Sequence, residues 1–216
     1  MRIFVTGGTG ALGRAFTPLA KAHGHQVVAP SRADLDLFDA AAIGPAVQDV
    51  DAVLHLASRI QPLDQLGQPG AWAENDLLRA VATAVLVDAA LAAATETYVQ
   101  PTVAFVYPAG RPASEDTPVG DVPAVLRSAL VAERQAARFA AAGRRGVVLR
   151  LGLLDGPGTG HDRPSRRFGA TLNAEDAGRA LLAALTVPSG TYNVCRDGEL
   201  VSNQRFVAVS GWHAMR

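Results

Sequence analysis

The stretch RIFVTGGTGALGRAF, residues 2 to 16, decides the fold. Arg2 to Thr6 is a short apolar, β-branched run; Gly7, Gly8, Thr9 and Gly10 follow at once, and a helical pattern then runs from Ala11 to about His23. The order is strand, glycine turn, helix, with Gly24 as a C-cap. Pro18 lies inside that helix, and because it lacks a backbone donor it is expected to bend or interrupt it. In this setting the T-G-x-x-G-x-x-G spacing of Gly7, Gly10 and Gly13 is informative. Such glycines allow a tight turn, close backbone approach to a pyrophosphate and close helix-to-strand packing, while the helix N-terminus stabilises the anion. The spacing implies dinucleotide binding, with a purely structural turn as the alternative.

Working outward, a second strand is expected at Gln26 to Ala29, and Pro30, Ser31 and Arg32 follow it. An NAD site usually presents an acidic residue there to the ribose hydroxyls, whereas an arginine pairs with the adenosine 2′-phosphate. NADP is therefore favoured, with NAD still open: in the other reading Arg32 is a solvated loop residue and Asp34 or Asp36 makes the ribose or adenine contact. An Ala-rich helix from about Asp39 to Gln48, a buried strand from Asp51 to Ala57, turn formers at Pro62, Gly67, Pro69 and Gly70, and a long apolar helix from Ala71 to Ala94 come next. Thr97 to Tyr107 holds a strand, Pro108 to Pro123 is a loop, Ala124 to Ala142 is helical, and Gly146 to Leu151 is a further strand. Residues 152 to 171 are turn-rich, Asn173 to Leu185 is a helix, and Gly190 to Cys195 a short strand. Alternation of strands and helices argues for an α/β fold, a doubly wound parallel sheet covered on both faces. No linker or internal repeat marks a second domain, so residues 1 to 216 form one unit.

The chain has 216 residues, 49% of them hydrophobic, and 20 basic side chains balance 20 acidic ones. That balance lacks the electrostatic footprint of nucleic-acid or anionic-membrane binding. No apolar stretch approaches the roughly 20 residues of a membrane span, and the N-terminus runs straight into a strand, so a cytoplasmic protein is expected. Cys195 is the single cysteine, and no Cys/His cluster has zinc-ligand spacing, so neither a disulfide nor a metal is expected. Lys21 is the only lysine. Any mechanism that needs a lysine beyond residue 21 is excluded.

These residues resemble the extended short-chain dehydrogenase/reductase family, in particular its NAD-dependent epimerase/dehydratase branch, over nearly the whole chain. TGGTGALG, from Thr6 to Gly13, looks like the cofactor loop and implies Gly7, Thr9, Gly10, Ala11, Leu12 and Gly13 as its positions. HLAS, with Leu56, Ala57 and Ser58, resembles the segment that lines adenine and ribose, and Asp36 with Leu37 the adenine-edge contact. Asn75, RLGLLDGPG at 150 to 158, NAEDAGRALLAAL from Asn173 and GTYNV at 190 to 194 follow the family's order. The resemblance thus implies a Rossmann-like sheet with a reduced C-terminal substrate lobe, about residues 152 to 216. Only about 15 residues separate Gly158 from Asn173, where sugar-nucleotide enzymes of the family carry a longer insertion, so a nucleotide sugar is a poor substrate. In the family the helices like 71–94 and 124–142 pair across a two-fold axis, which implies a homodimer, although both helices also suit covering the sheet.

The resemblance fails at the chemistry. Members that move hydride use a Tyr with a Lys four residues later, and that pattern aligns here with Val125 and Ala129, followed by Glu133. Thr102 stands where the family's Ser/Thr falls, and either polarises a substrate carbonyl or only satisfies backbone groups. Tyr107 resembles a cleft-wall tyrosine and is a substitute acid; Asp155 replaces a family tyrosine and is either an acid/base or a loop cap. His161, Asp162, Arg163, Arg166 and Arg167 lie in a loop that binds an anion, offers an acid/base pair or is simply solvated, while His55 fits a packed structural role. Three functions remain open. One is an NADP-linked reductase or epimerase-like enzyme for a small carbonyl or hydroxyl compound, relying on Thr102 with Tyr107 or a water. The others are a non-redox isomerase, cyclase or lyase using Asp155, His161 or Asp162, and a catalytically silent cofactor-binding sensor.

Overall fold

Alternation along β1 (Arg2–Thr6) builds both sides of the core at once. Ile3 and Val5 point to one face of the sheet, where they pack with Phe16 and Ala20 of α1 (Ala11–Ala22) and Ala177 and Leu181 of α6 (Ala174–Ala184). Phe4 points to the other, against Ile43 of α2 (Ala40–Ala46), Leu86 and Val87 of α4 (Thr83–Ala92) and Phe139 of α5 (Ala124–Ala141). Successive strand side chains point to opposite faces, so one apolar pentapeptide fixes a three-layer sandwich. Each large side chain fully buried in it contributes about 1.5–3 kcal/mol.

The computed structural model describes residues 1–61, 65 and 67–215; Pro62 and the side chain of Arg167 lie outside the described residues. Six parallel strands run in the order β2 (Gln26–Val28), β1, β3 (Ala52–His55), β4 (Thr97–Val103), β5 (Arg145–Leu151) and β8 (Gly190–Val194). The chain is Rossmann-like and doubly wound, as its sequence implies. β6 (Leu153–Asp155), in the stretch expected to be turn-rich, and β7 (Thr171–Asn173), at its end, form a separate parallel pair. A short helix, α7 (Gln204–Ser210), was not legible in the sequence; beyond it Trp212 Nε1 donates to the Asp176 carbonyl at 3.1 Å and ties the tail to α6. Among the described residues no helix is long and apolar enough to cross a membrane. Cys195 is buried, and its thiol is pushed up to about 12 by desolvation.

Two helices differ in detail from expectation. α1 runs unbroken through Pro18, because the proline is exposed and the carbonyl that it leaves without a donor, on Arg14 one turn earlier, is on the solvent side. The long helix expected over 71–94 is α3 (Ala73–Leu77), a π-helical turn at Leu78–Ala82 and α4. The π turn forms around the Leu78 carbonyl, which accepts from the Thr83 backbone N–H, from Thr83 Oγ1 at 3.2 Å and from His55 Nε2 at 3.1 Å. A carbonyl only accepts, so His55 carries its proton on Nε2, and its Nδ1 accepts from Thr6 Oγ1 at 2.7 Å. His55 is thus the packed structural histidine expected, and it joins β1, β3 and the π turn.

Desolvation lowers the pKa of His55 from 6.5 to about 4. The unfolded chain therefore takes up this proton first, so the stability contribution is complete above pH 6.5 and is lost as pH falls towards about 4. Urea denaturation is expected to show a loss of about 2 kcal/mol between about pH 8 and pH 5 from this residue. In His55→Gln that part of the slope disappears; an unchanged slope would mean that His55 is not buried as a neutral ring.

Candidate functional site

The strand order reverses between β1's two neighbours, which opens a crevice at the carboxyl ends of β1 and β3. Gly7 has φ +70°, and a Cβ there would stand 2.6 Å from the Ala57 nitrogen. At Gly13 a Cβ would stand 2.5 Å from the Gly7 carbonyl oxygen, so only glycine lets α1 approach the turn. Gly10 is different: nothing but the Gly7 oxygen, at 3.3 Å, comes near its missing side chain. Gly10 is also the N-cap of α1 and makes no side-chain capping bond, so the first-turn amides at Ala11, Leu12 and Gly13 are left open to an anion.

The other positions implied for a cofactor gather on the same edge. Leu56, Ala57 and Ser58 follow β3, and the Ala57 N–H donates to Thr6 Oγ1 at 3.2 Å. Asn75 of α3 is fully buried; its Oδ1 accepts from the Arg59 N–H at 3.1 Å, while its Nδ2 has no partner among the described residues. Thr9, Ser31, Arg32 and Asp36 are exposed, and Leu37 packs on the core. Asp34 takes hydrogen bonds from Ser31 Oγ (2.6 Å) and N (3.0 Å), which hold its carboxyl below its usual range, and Asp36 Oδ1 accepts from the Phe38 N–H. Both acidic candidates accept hydrogen bonds within the loop itself. Arg32 reaches Glu74 at 3.5 Å, and Arg59, which the sequence reading missed, meets the other oxygen of the same carboxylate at 3.5 Å. Two arginines thus share one acid. An uncapped helix, turn glycines without side chains and an orphaned buried Asn75 amide fit a dinucleotide.

At the carboxyl ends of β4 and β5 lies a buried polar network. Val125 is half-buried and Ala129 fully buried on α5. One helical turn on, Glu133 accepts from Thr102 Oγ1 at 2.9 Å and, through both oxygens, from Arg150 Nε (2.9 Å) and Nη2 (2.6 Å). Arg150 Nη1 donates to Tyr107 Oη at 2.7 Å, and that hydroxyl donates to Asn193 Oδ1 at 3.0 Å. Burial works against the charge on Arg150, but its hydrogen bonds and ion pair with Glu133 outweigh it and raise its pKa. Burial also raises the Tyr107 phenol, with Arg150 pulling the other way, so it stays protonated at neutral pH. The signal missed was a lone arginine in the apolar run GVVLRL: a cation buried in a central strand demands a buried acid.

Asp155 belongs to a different cluster. It is buried, pairs with Arg196 at 2.7 and 3.1 Å, and accepts from Asn173 Nδ2 at 3.2 Å, so the structure joins Thr102 and Tyr107 through hydrogen bonds but not Asp155 with them. Asp162 is exposed, and the His161 backbone, rather than its ring, is bound in the turn, its N–H donating to Thr159 Oγ1. In front of Tyr107 a small, open recess of about 50 Å³ is lined by Ala104, Phe105, Arg111, Phe168, Leu200 and neighbouring residues.

With this geometry in place, comparison with known proteins is specific. The model of the NAD dependent epimerase/dehydratase family matches residues 3–194. A 3-diazoavenalumate denitrifying reductase from Streptomyces sp is 35% identical over 211 residues; the alignment covers 88% of this chain, which spans 65% of that relative's length. A short-chain dehydrogenase/reductase superfamily protein from Agrobacterium tumefaciens with bound NAD superposes with a TM-score of 0.82 at 20% identity, over 100% of this chain and 93% of that one. RMD from Pseudomonas aeruginosa complexed with NADPH gives 0.79 at 19% identity, over 99% and 93%. The match of the family model over most of the chain, on a Rossmann-like sheet with its glycine turn intact, means that this chain belongs to the NAD dependent epimerase/dehydratase family.

Proposed function

We propose that the chain is an NADP(H)-linked reductase of a small organic acceptor. The observation that carries this reading is the Gly7–Gly13 turn against the uncapped α1, a cradle with no side chain of its own to fill it. A relative is named a reductase, and similarly folded proteins hold NAD or NADPH. The amides of Ala11, Leu12 and Gly13 would take the pyrophosphate and the orphaned Asn75 Nδ2 a polar atom of the cofactor. Arg32 and Arg59 would take the 2′-phosphate in place of Glu74. Exposed Leu77 and Val81 on the outer side of the α3–α4 helix favour a homodimer.

The reduced cofactor supplies a hydride and no proton. A carbonyl acceptor therefore needs a proton from the chain or from water, and the hydroxyl hydrogens of the two candidate side chains are already placed: that of Thr102 on Glu133, that of Tyr107 on Asn193. Asp155 is held as an ion pair with Arg196. These commitments favour an acceptor that needs no proton from the protein, one in which a neutral group departs with its bonding electrons as the new C–H bond forms. A diazonium ion losing dinitrogen is such an acceptor, and the relative's name describes denitrification of a diazo compound.

Titration at fixed salt is expected to show NADPH binding about tenfold tighter than NADH. Arg32→Ala should remove most of that preference, weakening NADPH by about tenfold and leaving NADH within about twofold. Equal binding of both cofactors by the native chain would dismiss the NADP assignment, and no binding of either at millimolar concentration would dismiss the reductase. With 4-carboxybenzenediazonium as acceptor, against a control without protein, one NADPH should be oxidised per dinitrogen released. Tyr107→Phe should retain that rate within about threefold; a loss of about a hundredfold would restore a mechanism with a protein proton.

A further inference from the structure

We propose that the recess in front of Tyr107 binds the acceptor as a flat aromatic carboxylate, its ring against Phe168 and its carboxylate on Arg111. This rests on the reductase reading for the identity of the ligand as substrate, but not for the binding itself. Phe168 and Leu200 are 45% and 42% exposed, unusual for side chains of that size, and both open into the same recess. Phe105 stacks behind Phe168 with ring centroids 4.7 Å apart and planes at 26°, so the exposed ring is backed and held flat. Gly169, with φ +76°, ends the short 3-10 turn Arg166–Phe168 and brings the chain back beneath Leu200.

The opposite wall is equally defined. The Ala113 N–H donates to the Leu200 carbonyl at 2.9 Å, and the Ser202 N–H to the Ala113 carbonyl at 2.8 Å, which fastens the 108–113 loop to residues 200–202. Tyr107 presents only its ring, because its hydroxyl is turned inward to Arg150 and Asn193. The lining from Ala104 to Ala109 has no charged or amide side chain, so it offers little to the many hydroxyls of a sugar and suits an aromatic plane.

Charge completes the assignment. Arg111 is exposed at the rim, and among the described residues no carboxylate pairs with it. The acids nearby are engaged: Glu115 and Asp116 face Arg205, and Glu199 accepts from Thr171 Oγ1 at 2.7 Å with Arg166 at 3.8 Å. Inside, Arg150 is matched by Glu133. One unmatched guanidinium beside an apolar, ring-backed recess recognises an aromatic ring bearing an anion, and the planar fork suits a carboxylate.

Isothermal titration of the full chain with cinnamate and with cinnamyl alcohol, each with and without NADP⁺, tests this. Cinnamate is expected to bind about tenfold tighter than the alcohol. Arg111→Gln should abolish that difference by weakening cinnamate alone, and Phe168→Ala should weaken both about tenfold. Both side chains are exposed, so neither change endangers folding, and NADP⁺ affinity measured in the same samples should stay unchanged. Cinnamate binding no tighter than the alcohol, or insensitive to either substitution, would overturn the assignment. If the native chain shows the expected pattern but binds no NADP⁺, the recess stands and the reductase reading falls.

Discussion

The approach of α1 to the β1 turn governs this molecule. Residue 13 has its Cα so near the backbone of residues 7 and 8 that even a methyl group would stand 2.5 Å from the Gly7 oxygen, and Gly7 is pressed in turn against Ala57 after β3. Two strands and one helix thereby meet with no side chain between them. That contact points the amino end of α1 into the crevice and leaves only the Gly7 oxygen near the position of a Gly10 side chain. A helix start without a capping side chain is a deficit of acceptors, and a pyrophosphate is an acceptor of suitable charge. The same geometry thus accounts for packing in one direction and for anion binding in the other.

A second constraint is the charge buried between β4, β5 and α5. Removing Arg150 alone would leave the Glu133 carboxylate without its countercharge, an arrangement that costs about 3–5 kcal/mol where such pairs have been broken. The network is therefore structural first. Its chemical consequence comes from what it occupies: it fixes the hydrogens of Thr102 and Tyr107 on protein acceptors and holds Tyr107 with its ring outward. The hydrogens of these two candidate residues are thereby committed to protein acceptors.

The glycine turn, the alternation of strands and helices and the packed role of His55 were legible because each rests on local pattern: β-branched runs, glycine spacing and a polar residue in an apolar strand. The π turn was not, since it arises when His55 and Thr83, far apart in sequence, converge on the Leu78 carbonyl. Pro18 misled because its effect depends on which side of the helix it occupies, a matter of tertiary exposure. At the site, the residues around the cofactor crevice were found through motif spacing. Arg59 and Glu74 were not, as their contact depends on where a loop crosses α3. The partners of Thr102, Tyr107 and Asp155 were likewise invisible: Glu133, Arg150, Asn193 and Arg196 come from four separate elements or loops.

The central claim is that the amino end of α1 holds the dinucleotide's phosphates. Backbone amide chemical shifts recorded by heteronuclear NMR during NADPH titration test it most directly. The largest downfield shifts are expected at the amides of Ala11, Leu12 and Gly13, accompanied by the Asn75 side-chain amide. Shifts confined to other parts of the chain, with these four groups unmoved at saturating NADPH, would contradict it.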